Sequence, residues 1–275
     1  MKKKLKFFGE HKQFTLFLIL ALAVVCVAIF APWIAPKDPL EAVMLDSLKA
    51  PCAEYPCGTD KLGRDILSRV IFGTRTSMVM TLVLVAVIFV LGTTLGVLAG
   101  YFGGIVDEII MRVADMMISF PGLVLAIAIA GMLGPNLTNA VIAISAVSWT
   151  KYARLSRSMV LKVKKSLYIE AAVVNGTKTG KILVRHVLPN MVTQMVVTAA
   201  ADIGTMMLEL ASLSFLGFGA TAPTPEWGLM LNEGRTYMAK APWLMIYPGI
   251  AIVIVVIVFN MLGDSIRDVL DPRQE

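Results

Sequence analysis

The chain has 275 residues, 57% of them hydrophobic and only 16% charged, and a mean hydropathy of +0.77, whereas soluble domains average about 25% charged residues. This balance excludes an ordinary water-soluble domain and points to lipid as the solvent. The formal net charge of +6 is carried outside the apolar runs and without an aromatic-interleaved basic patch, so nucleic acid is not expected as a partner.

In chain order, a basic head with Lys2, Lys3, Lys4, Lys6 and Lys12 precedes an apolar run from Phe14 to Ala31. Ala31, Pro32, Trp33 and Ile34 offer a Pro and a Trp where a secretory signal would need a small-residue cleavage site. The run therefore reads as a retained signal-anchor helix, and Cys26 within it as a small buried hydrophobe. The segment from Pro36 to Ser77 is longer than a simple connection requires and should carry short helices on the outer surface. It holds Cys52 and Cys57 at C-x4-C spacing, which leaves open either a disulfide or two unpaired thiols. Further apolar runs cover Met78 to Ala99, Met116 to Leu133, a weaker Asn139 to Thr150, Met191 to Phe218, and Trp243 to Leu262. With the first, they predict six transmembrane helices in an all-α polytopic protein.

Lys and Arg concentrate in the head and in residues 100–115, 151–190 and 263–275, while the outer segments 36–77 and 219–242 balance their cations with acids. Positive charge is retained on the cytoplasmic side, so both termini are expected in the cytoplasm. Anionic lipid headgroups or a cytoplasmic partner would be the counter-charge of the basic 151–190 loop.

That loop contains Glu170-Ala171-Ala172, then Gly176, then His186-Val187-Leu188-Pro189. It reads as a helix, a glycine turn and a second helix broken at Pro189-Asn190: a compact knob with small alanines for close approach to another surface. The spacing resembles the EAA signature of ABC importer permeases. Gly58-Thr59-Asp60-x-x-Gly63-Arg64-Asp65, Ser214-Phe215-Leu216-Gly217-Phe218-Gly219, Pro223-Thr224-Pro225-Glu226-Trp227-Gly228 and the tail Phe259-Asn260-x-x-Gly263-Asp264, with Leu270-Asp271-Pro272, extend the resemblance to the C-type permeases of dipeptide, oligopeptide and nickel importers. His186 departs from the general signature, which prefers Ile there. The resemblance implies a type I ABC importer permease fold in the inner membrane, with residues 1–76 as head, first helix and external loop and 77–275 as the permease core. It also implies that Glu170, Ala171, Ala172, Gly176, Leu188 and Pro189 form the element coupled to the ATPase. The implied partners are a homologous B-type permease, two ATPase subunits, an external binding protein and membrane lipid, with no cofactor.

Within the fifth run, Asp202 and Glu209 lie seven residues apart, on one helical face. Met195, Thr198, Thr205 and Ser212 extend that face, and a polar stripe in an apolar helix should line a pathway or a subunit interface. Met111-Arg112-Val113-Ala114-Asp115-Met116, Trp149-x-x-Tyr152-Ala153-Arg154 and Asp202-Ile203-Gly204 resemble the nickel branch, as does Thr221-Ala222-Pro223-Thr224-x-Glu226-Trp227-Gly228. The primary expectation is thus a path for nickel or a nickel chelate, with dipeptides or oligopeptides as the alternative. With His11 and His186 far apart, no high-affinity metal cage is expected.

Gly176-Thr177-Lys178-Thr179-Gly180-Lys181-Ile182 is one residue short of a P-loop and lacks the terminal hydroxyl. ATP hydrolysis is therefore assigned to partners. Neither H-E-x-x-H nor G-x-S-x-G occurs, so no catalytic residue is expected. The absence of paired repeats with matching interrupted helices argues against a secondary transporter.

Overall fold

The computed structural model describes residues 11–270; the lysines at 2, 3, 4 and 6 and the Asp271-Pro272 pair lie outside them. Among the described residues the regular structure is helical, apart from one bridge between Thr59 and Asp65. The long elements are α1 (Lys12–Ile34), α2 (Ile66–Phe102), α3 (Gly104–Ile118), α4 (Gly122–Leu133) and α5 (Leu137–Lys164), then α8 (Leu188–Phe215) and α10 (Trp243–Leu270). Between α5 and α8 lie the short α6 (Leu167–Val174) and α7 (Thr179–Ile182), and α9 (Trp227–Gly234) sits between α8 and α10.

Four helices are long and apolar enough to cross a membrane: Lys12–Ile34, Ile66–Phe102, the continuous run Thr179–Phe215, and Trp243–Val269. A fifth span exists if α3 and α4, bent by 93°, count as one. The six expected spans are therefore not all reproduced. The continuous Met116–Leu133 helix is replaced by a corner at Pro121, where a proline cannot supply the N–H that a straight helix needs. The weak fourth run is the middle of α5, which is long but carries Lys151, Arg154 and Arg157. These cations pair with Asp202, Asp115 and Asp107, the Arg154–Asp115 pair at the surface, and the helix, whose periodicity runs on through Leu155, continues to Lys164 where a loop was expected from residue 151.

α1 stands at the edge, packed on α2 and α10, with Leu16, Ile19, Leu22 and Ile29 exposed, as suits a lipid-facing helix. Cys26 is also exposed there, not buried. At the centre, α2 packs on α5 through Gly92, Gly96 and Gly100. A Cβ at these positions would collide with Tyr152, with the Ala153 carbonyl and Ser156 hydroxyl, and with Val160, respectively. Four-residue spacing stacks the three glycines on one face, so the backbones meet without intervening side chains. Leu84, Ile88, Ile144 and Tyr152 fill the core beside this seam, and α8 closes it with Met191, Met195 and Leu213.

The outer segment forms one 3-10 turn, Met44–Asp46, rather than several surface helices. Its order comes from side chains. Asp60 accepts from the backbone N–H of Leu62 and of Arg64 at 2.8 and 3.0 Å, and its other oxygen lies 2.6 Å from Arg64 Nε. Asp65 caps α2 by accepting from the Ser68 N–H and hydroxyl. Arg64 and Arg69 both reach Glu233 on α9, at 3.1 and 3.4 Å, and Arg69 also donates to the carbonyls of Pro39 and Pro223. Glu226 caps α9 through the N–H groups of Gly228 and Leu229, and the Trp227 indole donates to the Val70 carbonyl across the notch at Gly73. The two outer motifs are thus halves of one structure. Cys57 packs against the apolar cluster and Cys52 is exposed; both are free thiols, so the disulfide alternative is not realised.

Candidate translocation path and coupling surface

α5 and α8 enclose two cavities that meet at one ion pair. The first, about 430 Å³, is walled by Ile88, Tyr152, Thr205, Met206 and Glu209, with the α3–α4 corner contributing Phe120 and Gly122. The second, about 630 Å³, opens towards the start of α8 and includes Gln194, Thr198, Asp264 and Arg267. Lys151 and Asp202 line both. Lys151 Nζ lies 2.6 Å from Asp202 Oδ1, and Tyr152 Oη donates to Asp202 Oδ2 at 2.8 Å. A carboxylate this deep is held by pairing and hydrogen bonding together, the condition under which a charge tolerates a low-dielectric site.

The knob follows α5. Gly176 adopts φ +70°, donating to the Val173 carbonyl while Thr177 donates to Ala172. This is the Schellman arrangement, which satisfies the last carbonyls of α6 and needs a residue without Cβ at the left-handed position. Glu170 and Ala171 are exposed, whereas Ala172 turns inward to the core. Leu167 and Val174 are 83% and 86% exposed, with Val173 and Val184 beside them. The break expected at Pro189 is absent. A π-helical turn, Leu183–Val187, joins α7 to α8, and Pro189 falls in the first turn of α8, where its missing N–H costs little. Asn190 Nδ2 donates to the His186 carbonyl next to this irregularity.

The family described as "Binding-protein-dependent transport system inner membrane component" matches residues 92–275, a stretch that holds the knob, the second cavity and all of the first cavity's lining but Ile88. The chain belongs to this family. It is 43% identical over 258 residues to a dipeptide transport system permease protein of Alkalihalophilus pseudofirmus, covering 94% of this chain and 85% of that one. To a glutathione transport system permease protein of Escherichia coli O6:K15:H31 it is 44% identical over 269 residues, covering 98% and 88%. A solved structure of the inward-facing MetNI methionine ABC transporter aligns with TM-score 0.58 and 20% identity, covering 74% of this chain and 96% of that one; this likeness concerns the fold. The chain is thus a permease subunit of an ABC importer. The relatives named here do not support the expected closeness to nickel permeases.

In this permease, Asp202, Thr205 and Glu209 of the expected stripe line the first cavity and Thr198 lines the second. Met195 is buried in the core instead. Ser212 lines neither cavity, and its hydroxyl donates to the Leu208 carbonyl of its own helix. Asp202, expected to line a pathway or a subunit interface, is neutralised within the chain by Lys151. The reading of the sequence missed Lys151, because it was counted as a loop cation. The unbroken periodicity through Trp149, Tyr152 and Leu155 already carries the helix past residue 151, as α5 does, but it names no partner for Lys151. The glycine repeat at 92, 96 and 100 was likewise present in the sequence and marks the α2–α5 seam.

Proposed function

We propose that this permease passes small peptides delivered by an external binding protein. The observation that carries the reading is likeness across nearly the whole chain to dipeptide and glutathione permeases. The first cavity supports it: Lys151 presents an ammonium, and Asp202 and Glu209 present carboxylates, to the path, which suits a zwitterion with an ammonium and a carboxylate. We assign the knob, with Glu170, Ala171, Gly176 and the exposed Leu167 and Val174, to docking with an ATPase subunit. Leu188 and Pro189 form the joint that passes its movement to α8. A homologous B-type permease would complete the path, two ATPases would hydrolyse ATP, and both termini would lie in the cytoplasm. α5 is the sixth span in this arrangement, shielded from lipid by α2, α4 and α8. Residues 1–76 form the peripheral unit around the core 77–275, although the helix of the second span already begins at Ile66.

The test is ATP-dependent uptake of a radiolabelled dipeptide, with nickel as competitor, into proteoliposomes holding the complete complex and its binding protein. Dipeptide uptake unaffected by nickel is the expected result. Nickel uptake unaffected by dipeptides would reverse the assignment.

A further inference from the structure

Lys151 is the single cation lining the first cavity, and it shares only with Asp202 the position between the two. The pair is asymmetric. The Lys151 side chain is 60% exposed and that of Asp202 8%, and Asp202 keeps a second bond from the fully buried Tyr152 when the ammonium moves away. The carboxylate is therefore fixed from behind, while the ammonium sits on a flexible four-carbon stem with donors to spare. Arg267 lines the second cavity, beyond the pair.

We propose that Lys151 is a specificity-determining residue of the path, whose ammonium exchanges Asp202 for the carboxylate of the passing peptide. At rest the ion pair narrows the junction. When a substrate carboxylate enters the first cavity, Lys151 turns to it, Asp202 stays bound to Tyr152, and the junction is free for passage towards Arg267. Exchanging one carboxylate partner for another keeps the lysine charge paired throughout and makes the hold on substrate weak enough for release. The inference rests on the peptide reading and specifies which end of the peptide is read.

The test uses the complete complex in proteoliposomes and measures uptake of radiolabelled dialanine per ATP hydrolysed, at dipeptide concentrations that saturate the binding protein. Lys151→Met should lower this ratio about tenfold, the scale of losing one hydrogen bond to a charged group, and Lys151→Arg should recover most of it. The deciding variant is Lys151→Met/Asp202→Asn, which removes both members of the pair. Its thermal stability should return to that of the unaltered complex while uptake stays low. Recovery of uptake in the double variant would make Lys151 a structural partner of Asp202 and overturn the inference, even if the single variant fails to assemble. Absence of dialanine uptake by the unaltered complex would instead sink the peptide reading, and this inference with it.

Discussion

The outer segment and the inner knob are both irregular stretches between long helices, and they solve opposite problems. In the outer segment the two buried arginines are matched within the chain: Arg64 is 2% exposed, yet touches Asp60 and Glu233, and Arg69 is held by Glu233 and two carbonyls. The knob has its backbone satisfied by the Gly176 turn but leaves Leu167, Val173, Val174 and Val184 in the open. A closed charge network makes a region rigid by itself. An exposed apolar surface on a well-formed turn is complete only against a partner.

Breaking the closed side should give the largest effect on stability. Arg64→Met removes one of the two cations that Asp60 and Glu233 share, leaving Arg69 at 3.8 and 3.4 Å, and should cost about 3 kcal/mol, the lower end of the scale of removing one partner of a buried pair. Thermal unfolding of the detergent-solubilised complex would show it, and an unchanged melting temperature would mean that the network contributes little. On the open side, Gly176→Pro places a residue locked at negative φ where +70° is required and removes the N–H bonded to Val173. The local cost is of the order of 1–2 kcal/mol or more, and it should appear as loss of ATP-driven uptake with insertion and melting temperature retained. Glu170→Lys should uncouple in the same way. If uptake survives both changes, the knob is not the coupling element.

Glu226→Ala removes the cap of α9, worth about 0.5–2 kcal/mol, and frees Trp227 from a fixed entry angle. The expected signs are a modest fall in melting temperature and faster proteolysis near residues 222–235. The smallest effect belongs to Tyr55, whose hydroxyl donates to Asp46 at 2.7 Å and, with Lys49, holds that carboxyl below its usual range. A depressed carboxylate pKa stabilises fully above the unfolded value of about 3.9 and loses that contribution as pH falls through the folded value. Tyr55→Phe raises the folded value towards the unfolded one, so its outer segment should be slightly less protected at neutral pH and lose less on acidification. Limited proteolysis across that pH range would measure the difference.

The apolar runs, the loop charges and the spacing of Glu170, Ala171, Ala172 and Gly176 were legible because they are local. A span needs consecutive apolar residues, and a left-handed turn needs a glycine at one position. Where the reading failed, the missing information lay on another element. Lys151 looked like a loop cation until α8 placed Asp202 beside it, and the partner of Asp202 could not be named for the same reason. Pro189 looked like a break because the π-helical turn before it cannot be read from residue types. The GTDxxGRD and PTPEWG motifs were visible as strings, but that Arg64 and Glu233 share one buried site was decided by the fold.

By itself, then, the sequence determined a helical membrane permease with a glycine turn between its long helices, since hydrophobic length and backbone permission are properties of consecutive residues. Only the tertiary structure decided which charges are neutralised, where the two cavities meet and which apolar surface is left uncovered. Each of those depends on what a distant helix brings within a few ångströms, and in a low-dielectric interior that proximity determines the state of every charge.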